Sequence, residues 1–209
     1  MPNIQFLNRP NLYKLISKKI DELGFNIFSA SYKIDSIDLA HKVCENLVME
    51  LIDFKEIKIC GILHKGKGCT SMALNLKRSK KGRNFDCMHE LVHYWFHDTD
   101  FFYCVEGAQS HMEWQANEGA AQFLMPYQNF IPIYCNLYDK ICKNGTELEY
   151  QSLIAFLSNR YMVGERAISI RIKSLSYEIA EYMSGVDIRD LKILLSKNKH
   201  NTKKIANTI

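Results

Sequence analysis

The sequence has no apolar segment that approaches the roughly 18 consecutive residues of a membrane-spanning helix. Residues 1–10 lack the apolar region of a secretion signal. Proline is scarce, with 4 in 209 residues, and no repeat or low-complexity linker divides the chain. These absences argue against a membrane-embedded or secreted protein. The apolar content of 47% favours one folded domain, with at most a small appendage.

Paired cysteine motifs are absent as well. The seven cysteines are odd in number, and no two have the Cys-x-x-Cys spacing of zinc ribbons and many redox motifs. We therefore expect reduced thiols, no disulfide framework and a cytoplasmic location.

The sequence has little excess of either charge sign, because 27 Lys and Arg stand against 23 Asp and Glu. Residues 186–209 hold six bases and two acids, which account for the whole net charge of +4. This balance disfavours DNA as a partner and favours protein. Residues 65–83 nevertheless hold seven bases and no acid, which predicts either a solvated hairpin edge or a surface that steers an acidic substrate segment.

Hydrophobic spacing predicts an α+β, mainly helical protein with a small antiparallel hairpin. The predicted helices are 12–23, 36–54, 84–97, 111–125, 147–161 and a long one from about 165 to 183. The predicted strands are 57–63 and 70–76, and an irregular aromatic loop is expected between 97 and 111. A polar break near 142–146 separates a core, 1–142, from a helical C-terminal segment, 143–209, with a basic tail.

His89, Glu90 and His93 form a His-Glu-x-x-His pattern on the predicted helix 84–97. Two histidines four residues apart lie about 40° from each other around a helix, so both imidazoles can bind one zinc ion. Glu90 lies about 100° from His89, at the border of that face, where its carboxylate can reach a water molecule. The alternative is an ordinary helix with surface or core histidines.

A catalytic zinc ion needs a third protein ligand. Glu113 shares a stripe of helix 111–125 with small residues, which let two helices approach closely, so Glu113 would face the histidines. His111, Asp98 and Asp100 remain alternatives for this position.

Three segments carry a family resemblance: Arg83-Asn84-Phe85, the run HELVHYWFH at 89–97, and Glu113-Trp114-Gln115-Ala116-Asn117 continuing to Leu124-Met125-Pro126. Together they resemble the ImmA/IrrE family of zinc metallopeptidases, over about residues 57–176. The sequence departs from the family pattern at Gly119 and Phe123, and we expect the side-chain volume lost at one position to be compensated at the other. Val92 stands where a glycine is common in the family. None of these departures removes a ligand.

The resemblance implies a zincin-like core with zinc bound by His89, His93 and Glu113, and with Glu90 as the catalytic carboxylate. It also implies an endopeptidase that cleaves or inactivates a helix-turn-helix repressor and is encoded near a mobile genetic element. Two rival hypotheses are a zinc-fold regulator that binds a repressor, effector or DNA without cleavage, and a DNA-binding switch. The intact Glu90 favours the enzyme, because a regulator of that kind needs no general base.

Residues that support such a site are less determined by the sequence. His97, Tyr94 and Tyr103 are candidate donors to the oxyanion, and Asp86 and Asn117 are candidate partners of the histidines. His97 lies about 12 Å along the helix axis from the first histidine, too far for both to bind one metal ion.

Residues 157–175 have the spacing of a helix-turn-helix. The alternative is a helical hairpin that packs on the catalytic core. Because the body has no net charge, we expect this segment to hold the repressor substrate rather than to read DNA bases.

Overall fold

A computed structural model describes residues 7–55, 58–107, 110–141 and 146–195. Within these residues it confirms the predicted α+β, mainly helical fold. The elements in chain order are α1 (Arg9–Glu22), α2 (Ser36–Val43), β1 (Leu47–Ile52), β2 (Ile59–Gly66), β3 (Cys69–Asn75), α3 (Lys80–Phe96), β4 (Phe101–Val105), α4 (His111–Leu124), α5 (Tyr127–Ile141), α6 (Glu147–Tyr161), α7 (Glu165–Ser174) and α8 (Ser176–Met183).

The strands form one sheet in the order β1-β3-β2-β4. The predicted hairpin is β2 and β3, which pair antiparallel and are joined by a turn in which Gly68 has φ 74°. β4 pairs antiparallel with β2, whereas β1 runs parallel to β3. The predicted antiparallel hairpin is therefore present, and a strand that the sequence did not reveal joins it in parallel to make a mixed sheet.

The predicted helix 36–54 is wrong in its second half. α2 ends at Val43, and Asn46 then adopts a left-handed conformation with φ 45° while its side chain donates to the carbonyl of Gly68. The chain continues as β1, whose residues pair with β3 from Leu47↔Thr70 onward. Pairing with a distant strand thus overrides a helical pattern of apolar residues.

The segment predicted as an irregular loop contains β4. Phe102 and Cys104 are buried, whereas Phe101 and Tyr103 are exposed, which is the alternation of a strand with one face on the core. Two further differences concern helices: α5 was not predicted and contains Pro132, and the predicted long helix is divided at Leu175 into α7 and α8.

α3 and α4 lie against each other, and their contact brings Gly119 close to Val92. A Cβ atom on Gly119 would lie 3.0 Å from Cγ1 of Val92. The bulk missing at Gly119 is therefore supplied by Val92 across the helix contact. Phe123 packs against Trp95 and Phe25, and the expected exchange of bulk between Gly119 and Phe123 stays a prediction.

The predicted division between core and C-terminal segment falls at 142–145, outside the described residues, as does most of the basic tail. Among the described helices none is both long and apolar enough to span a bilayer.

Candidate metal centre

Two helices bring the predicted metal ligands together. His89 and His93 lie one turn apart on α3, with their Nε2 atoms 3.0 Å from each other. Glu113, in the first turn of α4, places Oε1 3.2 Å from Nε2 of His93 and Oε2 3.3 Å from Nε2 of His89. Both imidazoles are buried. Of the candidates for a third ligand, the structure brings Glu113 to the histidines, whereas Asp98, Asp100 and His111 are exposed.

Asn117 determines the tautomer of His89. Its Oδ1 lies 3.2 Å from Nδ1 of His89, and its Nδ2 donates to the backbone carbonyl of Glu113 at 2.9 Å. Because Oδ1 can only accept, Nδ1 of His89 carries the hydrogen. In the neutral form of His89, which is the form that binds a metal, the lone pair is therefore on Nε2, which faces His93 and Glu113. Asn117 was predicted as a partner of the histidines, and it lies in that position.

His97 acts in the same way on His93. Nδ1 of His97 is 2.7 Å from Nδ1 of His93, and Nε2 of His97 is 2.9 Å from Oε1 of Gln115. Since Oε1 of Gln115 accepts, His97 is protonated on Nε2 and accepts from His93 through Nδ1. His93 is thereby left with its lone pair on Nε2. His97 thus lies behind a candidate ligand and contacts it, as its distance along the helix requires.

The ionisation states of Glu113 and the two histidines determine whether they can bind a metal cation. Burial raises the pKa of Glu113, but the two histidines outweigh it and lower that pKa to about 2. Burial lowers the pKa of His93 to about 4. Burial also acts to lower the pKa of His89, but contacts with Glu113 and Glu90 raise it overall. Glu113 is therefore ionised and His93 neutral near pH 7, which are the states in which both bind metals.

The geometry of the three side chains also fits a metal ion. Donor atoms of a tetrahedral zinc site lie about 3.3 Å apart, since bonds from zinc to nitrogen or oxygen are about 2.0–2.1 Å long. The three Nε2 and carboxylate contacts described above span 3.0 to 3.3 Å. Two lone pairs and a carboxylate converge there, an arrangement that a small divalent cation satisfies.

Glu90 is fully buried, and neither of its carboxylate oxygens has a hydrogen-bond partner among the described residues. Burial raises its pKa from 4.5 to about 8. A Cβ atom on Gly61 of β2 would lie 2.7 Å from Oε1 of Glu90, so the absence of a side chain at Gly61 gives this carboxyl its space. Gly61 was not singled out in the sequence, although a glycine inside a strand is a known sign of close approach.

Residues 64–173 match the sequence family described as the IrrE N-terminal-like domain, peptidase family M78. The match covers more than half of the chain. The chain belongs to this metallopeptidase family. A search of curated proteins gave no match.

One group in this member of the M78 family was missed by the sequence analysis. Ligand atoms of His89, Cys104 and Glu113 all lie within 4.8 Å of one another, and all three residues are on the inside of the protein. Cys104 is on β4, which was predicted to be a loop. A pattern local to one segment could not have placed its thiol beside α3 and α4.

The remaining predicted residues lie elsewhere. The hydroxyl of Tyr94 is 3.5 Å from the backbone nitrogen of Glu45, and Tyr103 is exposed on the outer face of β4. Asp86 binds the guanidinium of Arg78, with one contact of 3.1 Å, and burial raises the pKa of Asp86 to about 6. Asp86 therefore neutralises Arg78 and makes no hydrogen bond to an imidazole among the contacts observed.

A cavity of about 410 Å³ adjoins His89. Its apolar lining includes Cys60, Phe85, Cys104, Val105, Ala121, Ala167 and Ile170, and its charged lining includes Arg78, Asp86, Glu106 and Arg166. The cavity can therefore receive a segment with both apolar and polar side chains.

The predicted helix-turn-helix spacing is present as α6, a turn at 162–164 and α7. α7 contributes Ala167 and Ile170 to the wall of the cavity. Its Arg171 is buried and donates to the backbone carbonyl of Met125. The second helix of this pair therefore packs on the core and faces the candidate metal centre.

Most bases of segment 65–83 are held by other groups. Lys77 lies 2.8 Å from Asp53, Lys81 donates to Ser158 and Asn159, and Lys65 donates to the carbonyl of His97. Among these bases, Arg78 lines the cavity.

Proposed function

We propose that the protein is a zinc-dependent endopeptidase of the gluzincin type, with zinc held by His89, His93 and Glu113. The observation that carries this proposal is the convergence of two imidazole lone pairs and an ionised carboxylate beside a buried, unpartnered Glu90. A zinc ion held there would polarise the scissile carbonyl and make a water molecule a better nucleophile at neutral pH.

Glu90 acts as the general base in this proposal. Its carboxylate oxygens are buried beside the metal ligands without a hydrogen-bond partner among the described residues, so they are free to take a proton from the attacking water and return it to the leaving amine. Asn117 and His97 hold the two imidazoles with their Nε2 atoms directed at the site. The structure offers Tyr94 and Tyr103 no contact with this site, and His97 is engaged behind His93, so none of them is assigned to the oxyanion.

The proposed substrate is a helix-turn-helix transcriptional repressor, which the enzyme cleaves and thereby inactivates. The family resemblance supports this substrate, and the mixed apolar and charged lining of the cavity is compatible with a protein segment. In this proposal residues 1–142 supply the catalytic core, and the helical segment 143–209 supplies a wall that holds the substrate. Because a transcriptional repressor acts in the cytoplasm, the enzyme in this proposal is also cytoplasmic. The cysteine content predicts the same location.

The test compares the wild-type protein with Glu90→Gln, each loaded with zinc and incubated with the repressor encoded by an adjacent gene. We expect repressor fragments from the wild type and a rate at least about 10²-fold lower from Glu90→Gln, because proton transfer is lost. Zinc content should be equal in both. Glu22→Gln, on the surface of α1, is the matched control and should cleave as the wild type does.

The opposite result is also informative. If wild type and Glu90→Gln inactivate the repressor equally and no fragments appear, the protein is a regulator that binds without cleavage, and the peptidase proposal is wrong.

A further inference from the structure

A cysteine thiol lies beside the candidate metal centre. Cys104 is buried on the inward face of β4, and its sulfur belongs to the group with His89 and Glu113 whose ligand atoms lie within 4.8 Å of one another. β4 is at the edge of the sheet and pairs with β2, where Cys104 lies opposite Gly61. The same pair of positions thus faces both Glu90 and the metal centre.

We propose that Cys104 is a fourth ligand that closes the metal site and holds the enzyme in a latent state. This inference rests on the proposed function, since it requires the metal bound by His89, His93 and Glu113. Sulfur and nitrogen ligands of one zinc ion lie about 3.5 Å apart, whereas the ligand atoms of His89, Cys104 and Glu113 lie within 4.8 Å of one another, so Cys104 would have to approach His89 by no more than about 1.3 Å. On binding, the thiol gives its proton to solvent and its sulfur lone pair to the metal.

The neighbouring Cys60 shows that a buried cysteine does not necessarily lie beside the metal ligands. A bulge lies between Ile59 and Gly61, and it brings Cys60 of β2 into contact with the thiol of Cys104. Cys60 nevertheless donates to the backbone carbonyl of Lys58 and is outside the group with His89 and Glu113. Two neighbouring buried thiols therefore differ in their access to the metal ligands.

Closure of the site has a chemical consequence. A zinc ion with four protein ligands leaves no position for the attacking water, as in structural zinc sites. Cys104 must therefore leave the metal before catalysis, and water and Cys104 compete for one position. A protease of cytoplasmic repressors would be restrained in this way until a substrate or another factor displaces the thiol.

Cobalt(II) in place of zinc tests the ligand directly, because a thiolate bound to cobalt gives a charge-transfer absorption in the near ultraviolet. We expect this absorption in the cobalt-loaded wild type and its loss in Cys104→Ala, which should retain the visible bands of bound cobalt. Cys60→Ala, the neighbouring thiol, and Cys135→Ala, a buried cysteine of α5, should retain the absorption. With zinc, Cys104→Ala should cleave the repressor several-fold faster than the wild type.

The outcomes separate this inference from the proposed function. Visible cobalt bands without the charge-transfer absorption in the wild type would show a metal site to which Cys104 does not bind, and the latent state would be wrong while the peptidase proposal stands. The absorption persisting in Cys104→Ala, or equal cleavage rates, would also overturn the inference. If the wild type binds no cobalt, both proposals fail.

Discussion

α4 carries two glutamates on opposite sides, and their surroundings differ in kind. Glu118 accepts from Arg9 at 3.1 Å and from Arg171 at 3.3 Å, and it also binds the hydroxyl of Tyr13. Although burial acts to raise the pKa of Glu118, Arg171 and Arg9 outweigh it and lower that pKa. These contacts join α1, α4 and α7, so they hold the C-terminal helices on the core.

Glu113 has no arginine or lysine partner among the described residues. Its oxygens lie 3.2 and 3.3 Å from Nε2 of His93 and His89, and close by is Glu90, whose oxygens have no partner among the described residues. Buried polar groups are costly unless they are paired. The cluster around Glu118 is paired within the protein and stabilises the fold, whereas the cluster around Glu113 leaves the buried oxygens of Glu90 unpaired among the described residues. Incomplete pairing thus separates a candidate site from a structural network on the same helix.

The strongest test of the difference between these two clusters is to replace each glutamate with glutamine. Glu118→Gln should lower the free energy of unfolding by about 3 kcal/mol, because it leaves Arg171 buried without its counter-charge and leaves Arg9 with Glu178 alone. It should leave the zinc content unchanged. Glu113→Gln should abolish tight zinc binding and change the stability of the metal-free protein much less. Urea unfolding and metal analysis of both variants measure the two effects. Equal loss of stability in both would mean that the clusters do not differ.

The pH dependence of stability tests the comparison next, in protein freed of metal by a chelator. The folded-state pKa of Glu90 is about 8, above its ordinary value of 4.5, so the stability it contributes is complete below about pH 4.5 and lost as the pH rises to 8. For Glu118, with a lowered pKa, stability is present above about pH 4.5 and lost as the pH falls. The two glutamates therefore act with opposite sign.

Replacing Glu90 should remove its part of this dependence. Between pH 5 and pH 8.5 we expect metal-free Glu90→Gln to lose at least about 2 kcal/mol less unfolding free energy than the wild type, since each unit of pKa shift corresponds to about 1.4 kcal/mol. Urea unfolding at the two pH values gives the comparison. Parallel pH profiles of wild type and variant would contradict the burial of an unpartnered carboxyl at Glu90.

Much of the candidate site could be predicted because most of its residues lie close together in the sequence. His89, Glu90 and His93 lie within five residues of one helix, where their angular positions follow from the helical repeat. Glu113 could be placed because small residues on its helix face indicate close approach of a neighbour. The placement of these residues depends only on the geometry of a helix and on one contact between two helices. That contact is the packing of α3 against α4.

The strands explain what could not be predicted. β1 resembles a helix in its apolar spacing, and β4 is too short and aromatic to be distinguished from a loop by pattern alone. Their place depends on pairing with β2 and β3, which residues distant in the sequence determine. Cys104 and Gly61 reach the metal centre through that pairing, so neither could be connected to it from the sequence.

Gly61→Ala should have the smallest effect of these substitutions. It distinguishes a role of Gly61 in positioning Glu90 from a role in packing the sheet. The added Cβ would lie 2.7 Å from Oε1 of Glu90, the free end of a flexible side chain that can move aside. Stability should therefore change by less than about 1 kcal/mol, whereas the displaced carboxylate should slow repressor cleavage about tenfold, or about 1.4 kcal/mol in activation free energy. Zinc content should be unchanged, since the metal ligands are not displaced. A loss of stability without a loss of rate would mean that Gly61 serves the packing of the sheet on α3 and not the position of Glu90.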